Sequence, residues 1–353
     1  MEPFLTQSSL TLSERTENVL TAACLGDALG APPEAMYPGD IPAVFGGRIT
    51  RFFAPPPMAP FSIGSVPGSL TDDATQMLAM AEIVIESKGQ PTLADAARGL
   101  IRWADDPRGF GRFAGPTTQA AILRLKAGED PSVVATPALY SASMGTTNGA
   151  AMRAPVAGCI RPGDIEGAVD VAAILSAPTH NTQIAWSGAG AVAAAIAAGL
   201  ARDGSISMAD AAMAGAEAGE KLAASRGRFA AGPSVIRRLE LALAIAEHFE
   251  GDADGAMEEL GAVIGAGLPM AEAVPVAVGL AVAAAGDPWA VIVAAANAGN
   301  DCDTVALFAG SIAAAWTDAI GAPDDLIAEM KLVNGLDLGA TASDLVAACG
   351  LKG

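Results

Sequence analysis

The sequence predicts an all-α protein, folded as one compact multi-helix domain. Three observations carry that reading. Alanine-rich apolar runs recur at helical spacing, aromatic residues make up only 5% of the chain, and few segments alternate with the period of a strand. Small residues on helix faces let helices approach closely. The 353 residues contain no linker with a clear composition shift and no repeat of fixed period. One domain over residues 1–353 is therefore simpler than the two that length alone suggests. Residues 1–12 and 338–353 are expected to be peripheral tails.

The first helix starts at a capping box, Thr11-Leu12-Ser13-Glu14, and runs to about Leu29. Its apolar positions Val19, Ala22, Ala23, Ala28 and Leu29 are joined near the end by a carboxylate, Asp27. Residues 38–70 break the pattern. Pro38, Pro42, Pro55, Pro56, Pro57, Pro60 and Pro67, with several glycines, predict that no helix forms there. Phe52, Phe53 and Phe61 lie in this stretch, which reads either as a surface connector or as a lid beside a site. Helices then follow at Asp72–Ser87, Leu93–Trp103, Thr117–Lys126 and Ile165–Ser176. The middle gives Ile184–Ala201, Met208–Ala224 and Ser234–Ala246. The last third gives Met257–Ile264, Met270–Ala285, Trp289–Ala296, Val305–Ile320 and Asp324–Val333. The charge-free stretches 185–201 and 273–286 are short for a membrane span and interrupted by Ser, Gly or Pro. They are expected to be buried helices.

The chain carries 20 Lys+Arg against 39 Asp+Glu, a net charge of −19. Nucleic acid and anionic membrane surfaces both need a basic footprint, so neither is an expected partner. A small anionic substrate stays possible, because it needs only local Arg or backbone N–H groups. Cys24, Cys159, Cys302 and Cys349 are scattered, with no CxxC, which fits reduced thiols in a cytoplasmic protein. The first 12 residues are largely polar and lack the apolar centre of a signal peptide.

Two acidic knots are the candidate chemistry. Thr71-Asp72-Asp73 opens one apolar helix, and Asp301-Cys302-Asp303-Thr304 precedes another. Acidic groups beside a buried helix carry a desolvation penalty unless paired or bound to metal. Four carboxylates and two hydroxyls are hard oxygen donors, suited to Mg²⁺ or Mn²⁺. Four carboxylates exceed the need of one ion and suit two that share bridging groups, an arrangement used in metal-assisted hydrolysis. In an extended turn, Asp301 and Asp303 would face one side and Cys302 the other. Two further Asp pairs have simpler explanations. Asp324-Asp325 complements a helix dipole, and Asp105-Asp106 makes a solvated turn before Pro107. Histidine is confined to His180 and His248, which excludes a His-rich zinc site. His180 sits in a polar patch, Pro178-Thr179-His180-Asn181-Thr182, and would serve as a site residue or as a capping or core-bonded histidine.

These residues resemble the motifs of the ADP-ribosylglycohydrolase family. Gly26-Asp27-Ala28-Leu29-Gly30-Ala31-Pro32-Pro33-Glu34 resembles its first motif and Thr71-Asp72-Asp73 its second. Asn148-Gly149-Ala150-Ala151-Met152-Arg153 resembles its central Asn-Gly motif, and Thr179-His180-Asn181 its Thr-His segment. Gly299-Asn300-Asp301-Cys302-Asp303-Thr304 resembles its last metal motif. All five occur in the family's order, over about residues 18–318. The resemblance implies a compact all-α fold around a central binuclear Mg²⁺ or Mn²⁺ site. Thr71, Asp72, Asp73, Asp301, Asp303 and Thr304 would be the ligands. The implied reaction is hydrolysis at ribose C1″ of an ADP-ribosyl or ribosyl substrate, free or protein-attached. Glu34 and Asp303 are then the candidate catalytic residues, Glu34 as general acid/base or as an outer positioning group. Asn148, Gly149, Arg153 and His180 are the candidate substrate contacts, with Arg153 placed to neutralise a phosphate.

Two positions depart from the family pattern: Ala74 follows the Asp pair and Cys302 separates the last two Asp residues, both where Thr is common. Arg226–Ser234 and Gly286–Trp289 resemble a bacterial branch whose members need not act on modified proteins. An N-glycosidase of small ribosides and a non-catalytic ADP-ribose binder are the competing readings. Phosphoryl transfer finds no GxxxxGK loop to support it.

Overall fold

The computed structural model of the chain describes residues 10–106, 113–136 and 144–351. Among the described residues there is no strand, only two isolated bridges, Thr147–Pro269 and Thr182–Arg228. The all-α expectation holds. The helices are α1 (Leu12–Gly30), α2 (Ile41–Phe45), α3 (Asp72–Glu86), α4 (Leu93–Ala104), α5 (Pro116–Lys126) and α6 (Ala154–Cys159). They continue with α7 (Ile165–Ser176), α8 (Gln183–Ala201), α9 (Met208–Arg226), α10 (Val235–Ala246) and α11 (Ala253–Val263). The last are α12 (Met270–Ala283), α13 (Pro288–Ala296), α14 (Cys302–Ala315), α15 (Asp324–Asn334) and α16 (Leu338–Ala348).

Two central helices organise the core. In α8 every residue from Ile184 to Leu200 is buried, and in α14 every residue is. By length and composition α8 could cross a bilayer, yet 94% of its apolar window is covered by the protein itself. α8 packs on α9, α7 and α6, while α14 packs on α1, α13 and α12. Backbone contact between helices explains the small residues. A Cβ on Gly215 of α9 would lie 2.2 Å from the carbonyl oxygen of Gly190 in α8. Likewise, a Cβ on Gly30 would lie 2.4 Å from Cα of Asp303, so α1 meets the start of α14 with nothing between them. The capping box is present: Glu14 N–H donates to Thr11 Oγ1 at 3.2 Å, and Thr11 N–H to Glu14 Oε2 at 2.8 Å.

Four expectations are corrected. The Pro-rich stretch does contain a short helix, α2, because Pro42 falls in its first turn, where no backbone N–H is needed. Residues 338–348 are not a peripheral tail: α16 buries Leu338, Ala342, Leu345 and Val346 and packs on α1 and α3. α11 begins four residues before Met257, because Asp252 caps it by accepting from Gly255 N–H at 2.9 Å. α14 starts at Cys302 rather than after Thr304, and it ends at Ala315.

Candidate metal centre

Three chain segments converge on one cavity of about 340 Å³. α3 contributes Asp72 and Asp73 from its first turn. α14 contributes Asp301 as its N-cap, with Asp303 and Thr304 in its first turn. Helix N-termini offer unpaired N–H groups and partial positive charge, which favours carboxylates at both places. Asp301 has φ −95° and ψ 54°, so the expected extended turn is replaced by the entry into a helix. Asp301 and Thr304, three apart, then share one side, and Cys302 turns away, its thiol facing the Gly30 carbonyl at 3.3 Å.

The third segment follows α1. Ala35 N–H donates to the Asn300 carbonyl at 2.6 Å, and Asn300 N–H donates to the Met36 carbonyl at 3.0 Å. Both Ala35 (φ 64°) and Asn300 (φ 57°) are left-handed, a conformation costing roughly 1 kcal/mol or more for alanine. This reciprocal clamp holds Glu34 against the second knot. Glu34, Asp301 and Asp303 each offer an oxygen within 4.8 Å of the others. Thr304 ties the two knots together: its hydroxyl contacts Asp73 and lies 3.2 Å from Asp301 Oδ1. The Asn148 amide donates to the other Asp301 oxygen.

Electrostatics in this cluster are unbalanced. Burial first, then neighbouring carboxylates, pushes the Glu34 pKa up to about 9 and drives Asp72, Asp73 and Asp303 well above the ordinary carboxylate range. Burial also raises Asp301, to about 6, against the hydrogen bonds from Asn148 and Thr304. Asp303 Oδ1 is buried without a hydrogen-bond partner. An unpaired acceptor among converging carboxylates is costly unless a cation completes it. The donors are all oxygen, which fits a hard divalent ion. Asp72, Asp73, Asp301, Asp303 and Thr304 all line the cavity, and Glu34 lines it with them.

The opposite wall holds Thr147, Asn148, Gly149 and His180. His180 is 1% exposed, with Nε2 2.7 Å from Thr147 Oγ1 and Nδ1 2.8 Å from Thr179 Oγ1. Burial, aided by Arg153 and Arg228, pushes its pKa down to about 3, so the imidazole is neutral. Gly149 lies against this ring, where a Cβ would come 3.0 Å from His180 Cε1. Phe61, from the Pro-rich stretch, stands at the rim, and Ser62 beside it is pinned to the Ala31 carbonyl at 2.8 Å.

Two candidates are not brought to the cavity. Arg153 is fully buried behind the wall, donating to Gln76 Oε1 and Thr179 Oγ1, both at 2.8 Å. Its place there replaces the expected contact with a substrate phosphate. Thr71 caps α3 instead of lining the cavity: its hydroxyl donates to Asp27 Oδ1 at 2.6 Å and accepts from Asp73 N–H at 3.3 Å. Asp27 is the residue that sequence reasoning undervalued. It also accepts from the backbone N–H of Thr71 at 3.0 Å and of Ala74 at 3.2 Å, and so locks α3 to α1. Burial pushes its pKa up to about 6. A carboxylate inside the apolar run Leu25-Gly26-Asp27-Ala28-Leu29 was the available signal. Thr117, Thr118, Gln119 and Leu268 also line the cavity, and nothing in the sequence marks them.

A family described as ADP-ribosylglycohydrolase matches residues 8–353. The chain is 31% identical to the uncharacterized protein YegU of Escherichia coli K12, over 94% of this chain and 96% of that one. It is 29% identical to an uncharacterized protein of Archaeoglobus fulgidus, over 88% and 90% of the two chains. Among solved structures, an ADP-ribosylglycohydrolase-related protein complex shares the fold, with a TM-score of 0.60 at 21% identity over 96% of this chain and 99% of that one.

Proposed function

The chain belongs to the ADP-ribosylglycohydrolase family, and on that premise we propose that it is a metal-dependent hydrolase of the glycosidic bond at ribose C1″ of ADP-ribosylated substrates. One observation carries the proposal. Asp303 Oδ1 is buried and unpartnered in the group formed with Glu34 and Asp301, which a cation would complete. Asp72, Asp73, Asp301, Asp303 and Thr304 would hold two divalent ions, Mg²⁺ or Mn²⁺. Bound there, the ions would neutralise the carboxylates and lower the pKa of a coordinated water.

The remaining work belongs to the chain's own groups. Asn148 steadies Asp301 through its amide. His180 and Thr147 meet the sugar from the opposite wall. Glu34 is the candidate acid/base. It would accept a proton from the attacking water, whose oxygen bonds to C1″ as the glycosidic bond breaks, and would return a proton to the leaving group, so that one water is added across the bond. The transition state of such a reaction is oxocarbenium-like. Four free cysteines, three of them buried, support a reducing, cytoplasmic setting for this activity.

A second reading has its own support. Arg153 is held in the wall, and Arg228 is turned to the Asn181 side chain at 2.9 Å and the Met144 carbonyl at 2.5 Å. Among the described residues lining the cavity none is Arg or Lys, which favours an uncharged riboside over a pyrophosphate. Calorimetry of ADP-ribose and of plain ribonucleosides against Mg²⁺-loaded protein separates the two. ADP-ribose binding that is lost on chelation supports the first reading. Nucleoside binding alone supports an N-glycosidase of small ribosides. Binding of neither contradicts both.

A further inference from the structure

A hydrogen-bond network runs from the first acidic knot to the opposite wall, and a cation sits at its middle. Arg153 donates through Nη2 to Gln76 Oε1 at 2.8 Å, and Gln76 Nε2 donates to Asp72 Oδ2 at 3.2 Å. Through Nη1 it donates to Thr179 Oγ1 at 2.8 Å. Thr179 Oγ1 lies 2.8 Å from His180 Nδ1, and His180 Nε2 lies 2.7 Å from Thr147 Oγ1. Thr147 lines the cavity.

The chemistry of the donors gives this network a direction. A guanidinium donates and never accepts. On one side it fixes the Gln76 amide, whose oxygen must face Arg153 and whose NH₂ must then face Asp72. On the other side it takes up a lone pair of Thr179 Oγ1, leaving one hydroxyl hydrogen to place. The Ser176 carbonyl, 3.2 Å away, already accepts the His180 N–H at 2.8 Å and the Thr179 N–H at 3.0 Å. The Thr179 hydroxyl is within donating distance of that carbonyl too, but a carbonyl has two lone pairs, so a third bond there is weaker than one to the nearer acceptor, His180 Nδ1, to which the hydrogen is assigned. A neutral imidazole carries one proton, which therefore sits on Nε2 and is donated to Thr147 Oγ1. The Thr147 hydroxyl hydrogen is left for an acceptor in the cavity.

We propose that Arg153 is a positioning residue that sets both chains in one direction. It presents an amide donor to Asp72 and, through Thr179 and the Nε2–H form of His180, a hydroxyl donor from Thr147 to the ligand. That subsite takes an uncharged acceptor oxygen of a sugar or its leaving group. The last clause rests on the cavity being the active site; the direction of the chain does not.

The test reads the direction without substrate. The chain has two histidines, and His248 is exposed, so ¹⁵N-histidine NMR on the full chain resolves His180. The expected spectrum shows a pyrrole-type Nε2 and a pyridine-type Nδ1. Arg153→Lys, still donor-only, keeps that pattern. Arg153→Gln offers Thr179 an acceptor and shifts His180 toward the Nδ1–H form. Should Arg153 variants fail to fold, Thr179→Val removes the same donor to Nδ1 and shifts the populations, while Thr179→Ser retains the original form. A wild-type Nδ1–H form, or an unchanged spectrum in both Arg153→Gln and Thr179→Val, overturns the proposal. Absence of hydrolase activity leaves this readout intact, so the two failures are distinguishable.

Discussion

Two helices of this chain open on the same pair of residues and treat them in opposite ways. α15 begins Asp324-Asp325 and leaves both carboxylates exposed. α3 begins Asp72-Asp73 and turns them into a cavity already holding Glu34, Asp301 and Asp303. The helix dipole favours both pairs alike. In water an acidic pair needs nothing more. Among buried carboxylates it needs a counter-charge, and Arg153, which the Asp72 and Asp73 carboxylates favour in its charged form, reaches Asp72 only through Gln76. The lesson is that the dipeptide alone does not make a site; the second acidic knot brought against it does.

The comparison can be broken most sharply at Asp303. Asp303→Asn is expected to lower kcat by roughly 10³-fold, the scale of losing a preorganised electrostatic group. The metal-free Tm should hold or rise, because a buried repulsion is relieved. Retained activity in a purified, folded variant would remove Asp303 from the mechanism.

Next comes the cation itself. Mg²⁺ or Mn²⁺ at about 100 times its Kd should stabilise the native state by roughly 2.7 kcal/mol, since it binds the folded cluster selectively. A Tm unchanged at millimolar metal would speak against the centre. Chelated protein should show the opposite face of the same effect. Glu34, Asp27 and Asp301 have folded pKa values raised to about 9, 6 and 6. The stability they contribute is complete below their unfolded values and is lost as pH rises through the folded ones. Thermal melts in a chelator should therefore give a higher Tm near pH 5 than near pH 8, and added Mg²⁺ should flatten that slope.

A smaller change probes the packing that joins the knots. Gly30→Ala places a methyl group against the Asp303 backbone and should cost about 1–3 kcal/mol through overpacking, with weaker Mg²⁺ binding. Destabilisation with unaltered metal affinity would show that α14 can shift without disturbing its carboxylates. Smallest of all, Asp324→Asn should cost about 0.3–1 kcal/mol of helix-dipole complement and leave the Mg²⁺-induced Tm shift unchanged.

Much of this was legible from the residues. Helical periodicity located the α3, α7, α9 and α10 segments to within a few residues, because long apolar stripes and Thr, Asp or Ser caps mark them. Both knots were readable because acidic letters beside apolar helices are physically costly. α16 was missed, although Leu338, Ala342, Leu345 and Val346 fall at helical spacing after Asp337; small polar residues between them masked the stripe. The direction in which Arg153 points was not readable. Its partners Gln76 and Thr179 lie 77 and 26 residues away, and only tertiary packing brings them together. The threonines at the cavity rim are ordinary residues made relevant by position alone.

The link between Thr304 and Asp73 spans 231 residues. A ribosome adding about 5–20 residues per second would take roughly 10–50 s to cover that interval. Throughout it Asp72 and Asp73 would already exist, with Asp27 as their sole companion from the cluster apart from Glu34. A nascent or truncated chain that stops short of α14 would thus lack Asp301, Asp303 and Thr304 and carry only part of the cavity lining. The cluster is completed only when α14 has been made, and α15 and α16 are still to be added after it.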